Sequence, residues 1–149
     1  MNGLFGGSAC RQARWAFILT DVVAFLLFAG LGRQQHHESG GALTTLEIAA
    51  PFLAAWFAVA GFLGLFGNEW PRHGAARSLK PVALAWLIAW PVALVLRAAL
   101  QRRGVTLSFA LVALAVNAVF LLGWRGIYLF VARGLGARAA RNRPRKVDA

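Results

Sequence analysis

Hydrophobic residues fall into four long runs, at about residues 15–31, 48–66, 81–100 and 107–131, with polar and glycine-rich stretches between them. A helix needs roughly 17–25 predominantly apolar residues to cross the hydrocarbon core of a bilayer, and each run reaches that length. Backbone amides in lipid must be paired inside their own segment, which selects helices over open strands. The pattern therefore predicts an all-α protein, a four-helix transmembrane bundle over residues 15–132. A short segment, 1–14, precedes it and a basic tail, 133–149, follows it.

Punctuation along the chain agrees with these runs. Gly30 and Gly32 close the first. Pro51 is expected in the first turn of the second, where its missing N–H costs little, and Pro81 is expected to open the third in the same way. Gly104 separates the third from the fourth. Pro91 falls mid-span, frees the carbonyl of Leu87 and is expected to kink the third helix. Small residues recur at four-residue spacing as Ala16-Thr20-Ala24, Ala50-Ala54-Ala58 and Ala85-Ala89-Ala93. Such stripes let helix backbones approach closely.

Composition narrows the class further. Of 149 residues, 59% are apolar and 14% charged, against about 25% charged in soluble domains. A soluble fold of this size buries only about two-thirds of its unfolded surface, too little to hide this much apolar area. A disulfide-knit module is excluded by the single Cys10. The first run is preceded by Arg11 and Arg14 like a signal peptide, yet it holds Asp21 and no A-x-A site follows, so it is expected to be retained.

Charge sets the expected orientation. Four spans put both termini on one side. That side collects eleven cations: Arg11, Arg14, Arg72, Arg77, Lys80, Arg133, Arg138, Arg141, Arg143, Arg145 and Lys146. The opposite side has three, Arg33, Arg102 and Arg103. The positive-inside rule then places both termini in the cytoplasm, N-in and C-in, and the expected location is the plasma (inner) membrane of a bacterium. The basic tail can hold anionic lipid headgroups at about 1 kcal/mol per cation. No aromatics are interleaved with its cations, so no nucleic-acid partner is expected.

Three charges lie inside the spans, Asp21, Arg97 and Arg125, and the first and last call for each other. A carboxylate in mid-membrane costs about 2.5–3.5 kcal/mol on insertion scales. Asp21 sits six residues inside Trp15, about 9 Å along the axis at 1.5 Å per residue. Arg125 sits six residues before Val131 on the helix that returns to the same side. The two form an intramembrane pair if the first and fourth helices touch. The favoured reading is structural, each charge permitting the other's burial. The alternative is a titratable Asp21 in a proton- or cation-coupled carrier or channel, working as an oligomer, with Asn117 and Pro91 lining its path. Asn117 shares the Arg125 face two turns away, and a mid-span amide is expected to bond across a helix interface for about 0.6 kcal/mol.

A second polar cluster stands at the opposite end. Arg33 and Arg97 close the first and third helices, Glu47 begins the second, and His36, His37 and Glu38 lie in the loop before it. Snorkelling arginines with an outer salt bridge account for it. An outward anion or metal site is the competing reading, but no metal-ligand spacing is present, and no metal or cofactor is expected. Neither a nucleophile elbow nor a Walker loop occurs, so no catalytic residues are assigned and the protein is not expected to be an enzyme.

An ordered series of residues also carries a family resemblance. It comprises Asp21 in the first span, Gly32-Arg33 with His36 after it, Pro51-Phe52 followed by Trp56, Pro81, Leu96-Arg97, Ser108-Phe109 and Leu122-Gly123-Trp124-Arg125. Over residues 15–130 the chain resembles the small bacterial membrane proteins of the domain of unknown function 3054 family. The resemblance implies a four-helix integral membrane protein and brings no activity with it. The chain is thus expected to be a non-enzymatic membrane component or accessory subunit, acting as a homo-oligomer or beside a membrane partner.

Overall fold

A computed structural model describes residues 6–35, 41–66, 75–101 and 104–141. They form four helices: α1 (Gly6–Gln35), α2 (Ala42–Phe62), α3 (Ala75–Gln101) and α4 (Leu107–Arg141). Each contains a stretch long and apolar enough to cross a membrane: Trp15–Gln34, Ala42–Phe62, Leu79–Gln101 and Leu107–Val131. There is no strand among the described residues.

The helices pack as a ring. α1 meets α2 and α4, and α3 meets the same two, while the backbones of the diagonal pairs stay apart. Aromatic side chains fill the centre that this leaves. Phe25 of α1 reaches Trp86 of α3 across one diagonal, with ring centroids 5.6 Å apart. Phe52 of α2 reaches Phe109 of α4 across the other at 6.2 Å. Outward faces carry the large aliphatics, among them Leu19, Val23, Leu27 and Leu31 on α1. That distribution suits a surrounding solvent of acyl chains, in which exposed leucine has no penalty.

α2 and α3 pack most extensively, and the alanine stripe of α3 explains it. Ala85, Ala89 and Ala93 are all fully buried, and a face of methyl groups lets a neighbouring backbone come close. The other two stripes do not behave alike. Ala50, Ala54 and Ala58 face outward, and α2 instead buries Ala49, Phe52, Ala55, Trp56 and Ala60. The central rings dictate that choice, since Phe52 and Trp56 need the interior volume. On α1 only Ala24 of its stripe is buried. Thr20 turns its hydroxyl back to the carbonyls of Ala16 (2.8 Å) and Phe17 (3.1 Å).

α2 also corrects its expected bounds. It starts at Ala42, taking in Thr44, Thr45 and Glu47, and it stops at Phe62 rather than at residue 66. Pro51 is therefore well inside the helix, not in its first turn, and Pro81 is inside α3. A proline interrupts one backbone bond by freeing the carbonyl four residues before it. For Pro51 that carbonyl belongs to Glu47, and it accepts a hydrogen bond from Gln101 Nε2 at 3.1 Å. A side chain from the end of α3 thus replaces the missing amide, as membrane helices require. α3 itself runs without interruption through Pro81 and Pro91.

The end of α2 is a Schellman turn. Gly64 has φ +70°; its N–H donates to Gly61 O at 3.0 Å, and the Leu65 N–H donates to Ala60 O at 2.9 Å. Only glycine adopts this backbone without strain. A Cβ at Gly64 would meet nothing within 4 Å, so Gly64→Ala isolates the backbone cost, expected to be about 1–2 kcal/mol. Gly123, mid-helix and equally open, is the control: Gly123→Ala is expected to add about 0.5–1 kcal/mol of stability. Unfolding of both variants in detergent checks the opposite signs.

At the other end, α4 continues past Val131 to Arg141, so the first part of the expected tail is helical. Residues 142–149 lie outside the described residues.

Candidate functional site

The antiparallel course of α1 and α4 brings Asp21 and Arg125 to one level and into contact. The guanidinium forks onto the carboxylate: Arg125 Nη1 donates to Asp21 Oδ1 at 2.7 Å and Nη2 to Oδ2 at 2.8 Å. Two parallel charge-assisted bonds of this kind are among the strongest that side chains form. Trp56 of α2 adds a third donor, its Nε1 to Asp21 Oδ2 at 2.9 Å. Arg125 Nη1 also donates to the Leu121 carbonyl, one turn back on α4, at 3.2 Å. Asp21 is 0% exposed and Arg125 2%. The cluster therefore joins three of the four helices.

Aromatic layers enclose it on both sides. Towards the termini, Phe17 packs edge-on to Tyr128 at 5.0 Å and tilted against Trp124 at 5.7 Å. Towards the middle, Phe25, Trp56 and Trp86 form a mutual triangle with centroids 5.6–6.3 Å apart. The Arg125 guanidinium carbon lies 5.7 Å from the ring centres of both Phe17 and Trp56, inside the range in which a ring face attracts a cation. In so apolar a setting each charge alone would be costly, and the pair stands because every strong bond is met.

Trp86 and Trp90 of α3 form a second polar ladder. Trp86 Nε1 donates to the Leu114 carbonyl at 3.0 Å and Trp90 Nε1 to the Ala110 carbonyl at 2.9 Å. Indoles one turn apart meet carbonyls one turn apart on antiparallel α4, each using the second lone pair of a helical oxygen. This ladder was not among the features expected from the sequence, and Trp56 entered them only within the family resemblance. The available signal was a tryptophan spacing of four residues on an otherwise apolar helix.

Asn117 is fully buried, yet its Nδ2 donates to Ala113 O of its own helix at 2.9 Å. The expected bond across an interface is not the one formed. Among the described residues its Oδ1 has no hydrogen-bond partner. Pro91 is exposed on α3, so in a single chain it does not line the bundle interior.

At the end of the bundle away from both termini, Arg33 Nη1 donates to the Gly41 carbonyl at 3.2 Å. The Arg97 guanidinium lies over the Phe109 ring at 4.3 Å. Glu47 is exposed on α2 and contributes its backbone carbonyl to Gln101. His36, His37 and Glu38 lie outside the described residues. A cavity of about 490 Å³ opens among the helix ends here, with Arg33 and Arg97 in its wall.

Comparison with known proteins gives one family match. A family model described as a protein of unknown function (DUF3054) covers residues 18–128, which include Asp21, Trp56, Arg97 and Arg125. No curated protein and no solved structure matches the chain.

Proposed function

We propose, from the premise that this chain belongs to the DUF3054 family, that it is a non-enzymatic component of a bacterial plasma membrane whose buried Asp–Arg pair is a structural clamp. The observation that carries the reading is the set of bonds that Asp21 accepts. Its two oxygens accept three bonds, two from a cation, at full burial. A carboxylate that relays protons needs an exchange partner, whereas this one is committed to holding α1, α2 and α4 together. Orientation follows the charge asymmetry of the loops, with both termini cytoplasmic. The cationic end of α4 then meets the anionic leaflet, and the outward aliphatic faces receive lipid, a second copy or a membrane partner.

The clamp reading separates from a proton- or cation-coupled carrier by transport. Purified protein in liposomes carrying a pH gradient, with a dye reporting internal pH, is expected to leak no faster than empty vesicles. A leak seen with the wild-type chain and abolished by a folded Asp21→Leu/Arg125→Met double variant would sink the clamp reading in favour of a carrier. Orientation has its own check: a cytoplasm-only reporter fused after Ala149 is expected to be active, and silence would reverse the topology.

A further inference from the structure

The cavity at the end of the bundle away from the termini mixes apolar and cationic residues in its wall. Its floor and sides are aromatic and aliphatic, Phe28 and Phe109 among them. Its polar groups among the described residues are Arg33 and Arg97 with the hydroxyls of Thr106 and Ser108, and none of those residues is a carboxylate. Two fixed positive charges and two hydroxyls therefore face an otherwise apolar space. At about 490 Å³ it falls within the range of small-molecule pockets, about 300–1,000 Å³.

Both arginines are held in place. Arg33 uses one N–H on the Gly41 carbonyl, out of the five that a guanidinium carries. The Arg97 guanidinium carbon rests 4.3 Å from the centre of the Phe109 ring, a cation–π contact that holds the group at the wall. Thr106 stands where α4 begins: its carbonyl accepts the Ala110 N–H at 3.0 Å and its Oγ1 accepts the Phe109 N–H at 3.4 Å. The positive end of a 35-residue helix thus adds to the field of the two cations. Planar guanidinium groups match carboxylate and phosphate oxygens through paired N–H donors.

We infer that this cavity is a binding site for an anion, a phosphate or carboxylate group attached to an apolar body, with Arg33 and Arg97 taking the charge and Phe28 and Phe109 the apolar part. A lipid headgroup with its first acyl carbons and a free aromatic or aliphatic anion share that chemistry. The site lies at the helix ends, where a bilayer places its headgroups, so both sources have access to it.

The test uses the full chain purified in a zwitterionic detergent and follows its thermal unfolding. The probes are phosphatidylglycerol in mixed micelles, phenyl phosphate, and phosphatidylcholine as the neutral control. Binding to the folded state alone is expected to raise Tm by about 5 °C at a probe concentration near 100 times Kd. Arg33→Gln/Arg97→Gln is expected to reduce that rise to about 1 °C or less. A second variant leaves the charges untouched. Gly32 lines the cavity and a Cβ there meets nothing within 4 Å, so Gly32→Leu is expected to fill the space, leaving the unliganded protein at least as stable while abolishing the rise. A response to phosphatidylglycerol alone assigns the site to a lipid headgroup, and a response to phenyl phosphate assigns it to a soluble anion. Either supports the inference if both variants lose it. No rise with either anion, or an equal rise in wild type and Gly32→Leu, overturns it.

Discussion

Arg125→Met alone is expected to destabilise the protein by about 3–5 kcal/mol, and Asp21→Leu in the same chain is expected to restore most of that loss. The single change strands a fully buried carboxylate beside one indole N–H, with its two guanidinium bonds gone. The double change removes both desolvated charges at once and leaves side chains of comparable bulk among Phe17, Leu121 and Trp124. Breaking a buried pair costs far more than replacing it, because the penalty comes from the orphaned ion. Thermal or denaturant unfolding in detergent of wild type, both singles and the double gives the coupling between the two sites directly. Strict additivity would show that the two side chains do not act as a pair and would remove the clamp from the account of this fold.

Trp56→Ala is expected to cost about 3–5 kcal/mol, the range for truncating a large buried aromatic. Trp56 is 0% exposed, packs against Phe25 and Trp86 and supplies the third donor to Asp21. Trp56→Phe separates these roles. It keeps most of the ring volume and removes the N–H, so its cost is expected to be about 1.5–3 kcal/mol, the value of a hydrogen bond to a charged group. The same unfolding assay reads both. A Phe variant as stable as wild type would mean that the indole contributes volume alone. A Phe variant as damaged as the Ala variant would mean that the bond to Asp21 dominates.

The two effects have one origin. In water, a bundle of this size is held mainly by apolar burial, but lipid provides no such drive between helices. What remains is close packing and satisfied polar groups. The alanine face Ala85-Ala89-Ala93 supplies the first between α2 and α3. The Asp21–Arg125–Trp56 cluster and the indoles of Trp86 and Trp90 supply the second, linking α1 and α3 to α4 and α2.

How far the sequence reads differs between these parts. Spans were legible because crossing a bilayer demands about 20 apolar residues in unbroken order, a requirement visible in one dimension. The partnership of Asp21 with Arg125 was legible too, because charges at equal depth on antiparallel spans have few alternatives. The inward stripe was not. Ala50-Ala54-Ala58 and Ala85-Ala89-Ala93 look equivalent in one dimension, yet only the second is buried, because Phe52 and Trp56 claim the interior side of α2. Pro51 misled for a similar reason. A proline reads as a helix start until Gln101, fifty residues away in the chain, turns out to pair with the carbonyl it frees.

By itself, then, the sequence determined that this protein is a bundle of four membrane-length helices, which depths carry charge, and which two charges meet if the first and fourth helices touch. Each of these is a constraint on a residue and its distance along a helix axis. Only the tertiary structure decided which face of each helix turns inward, which indoles reach which oxygens, and that two arginines from α1 and α3 share one cavity. Rotation about a helix axis is set by the neighbours a helix packs against, and no helix carries that information alone.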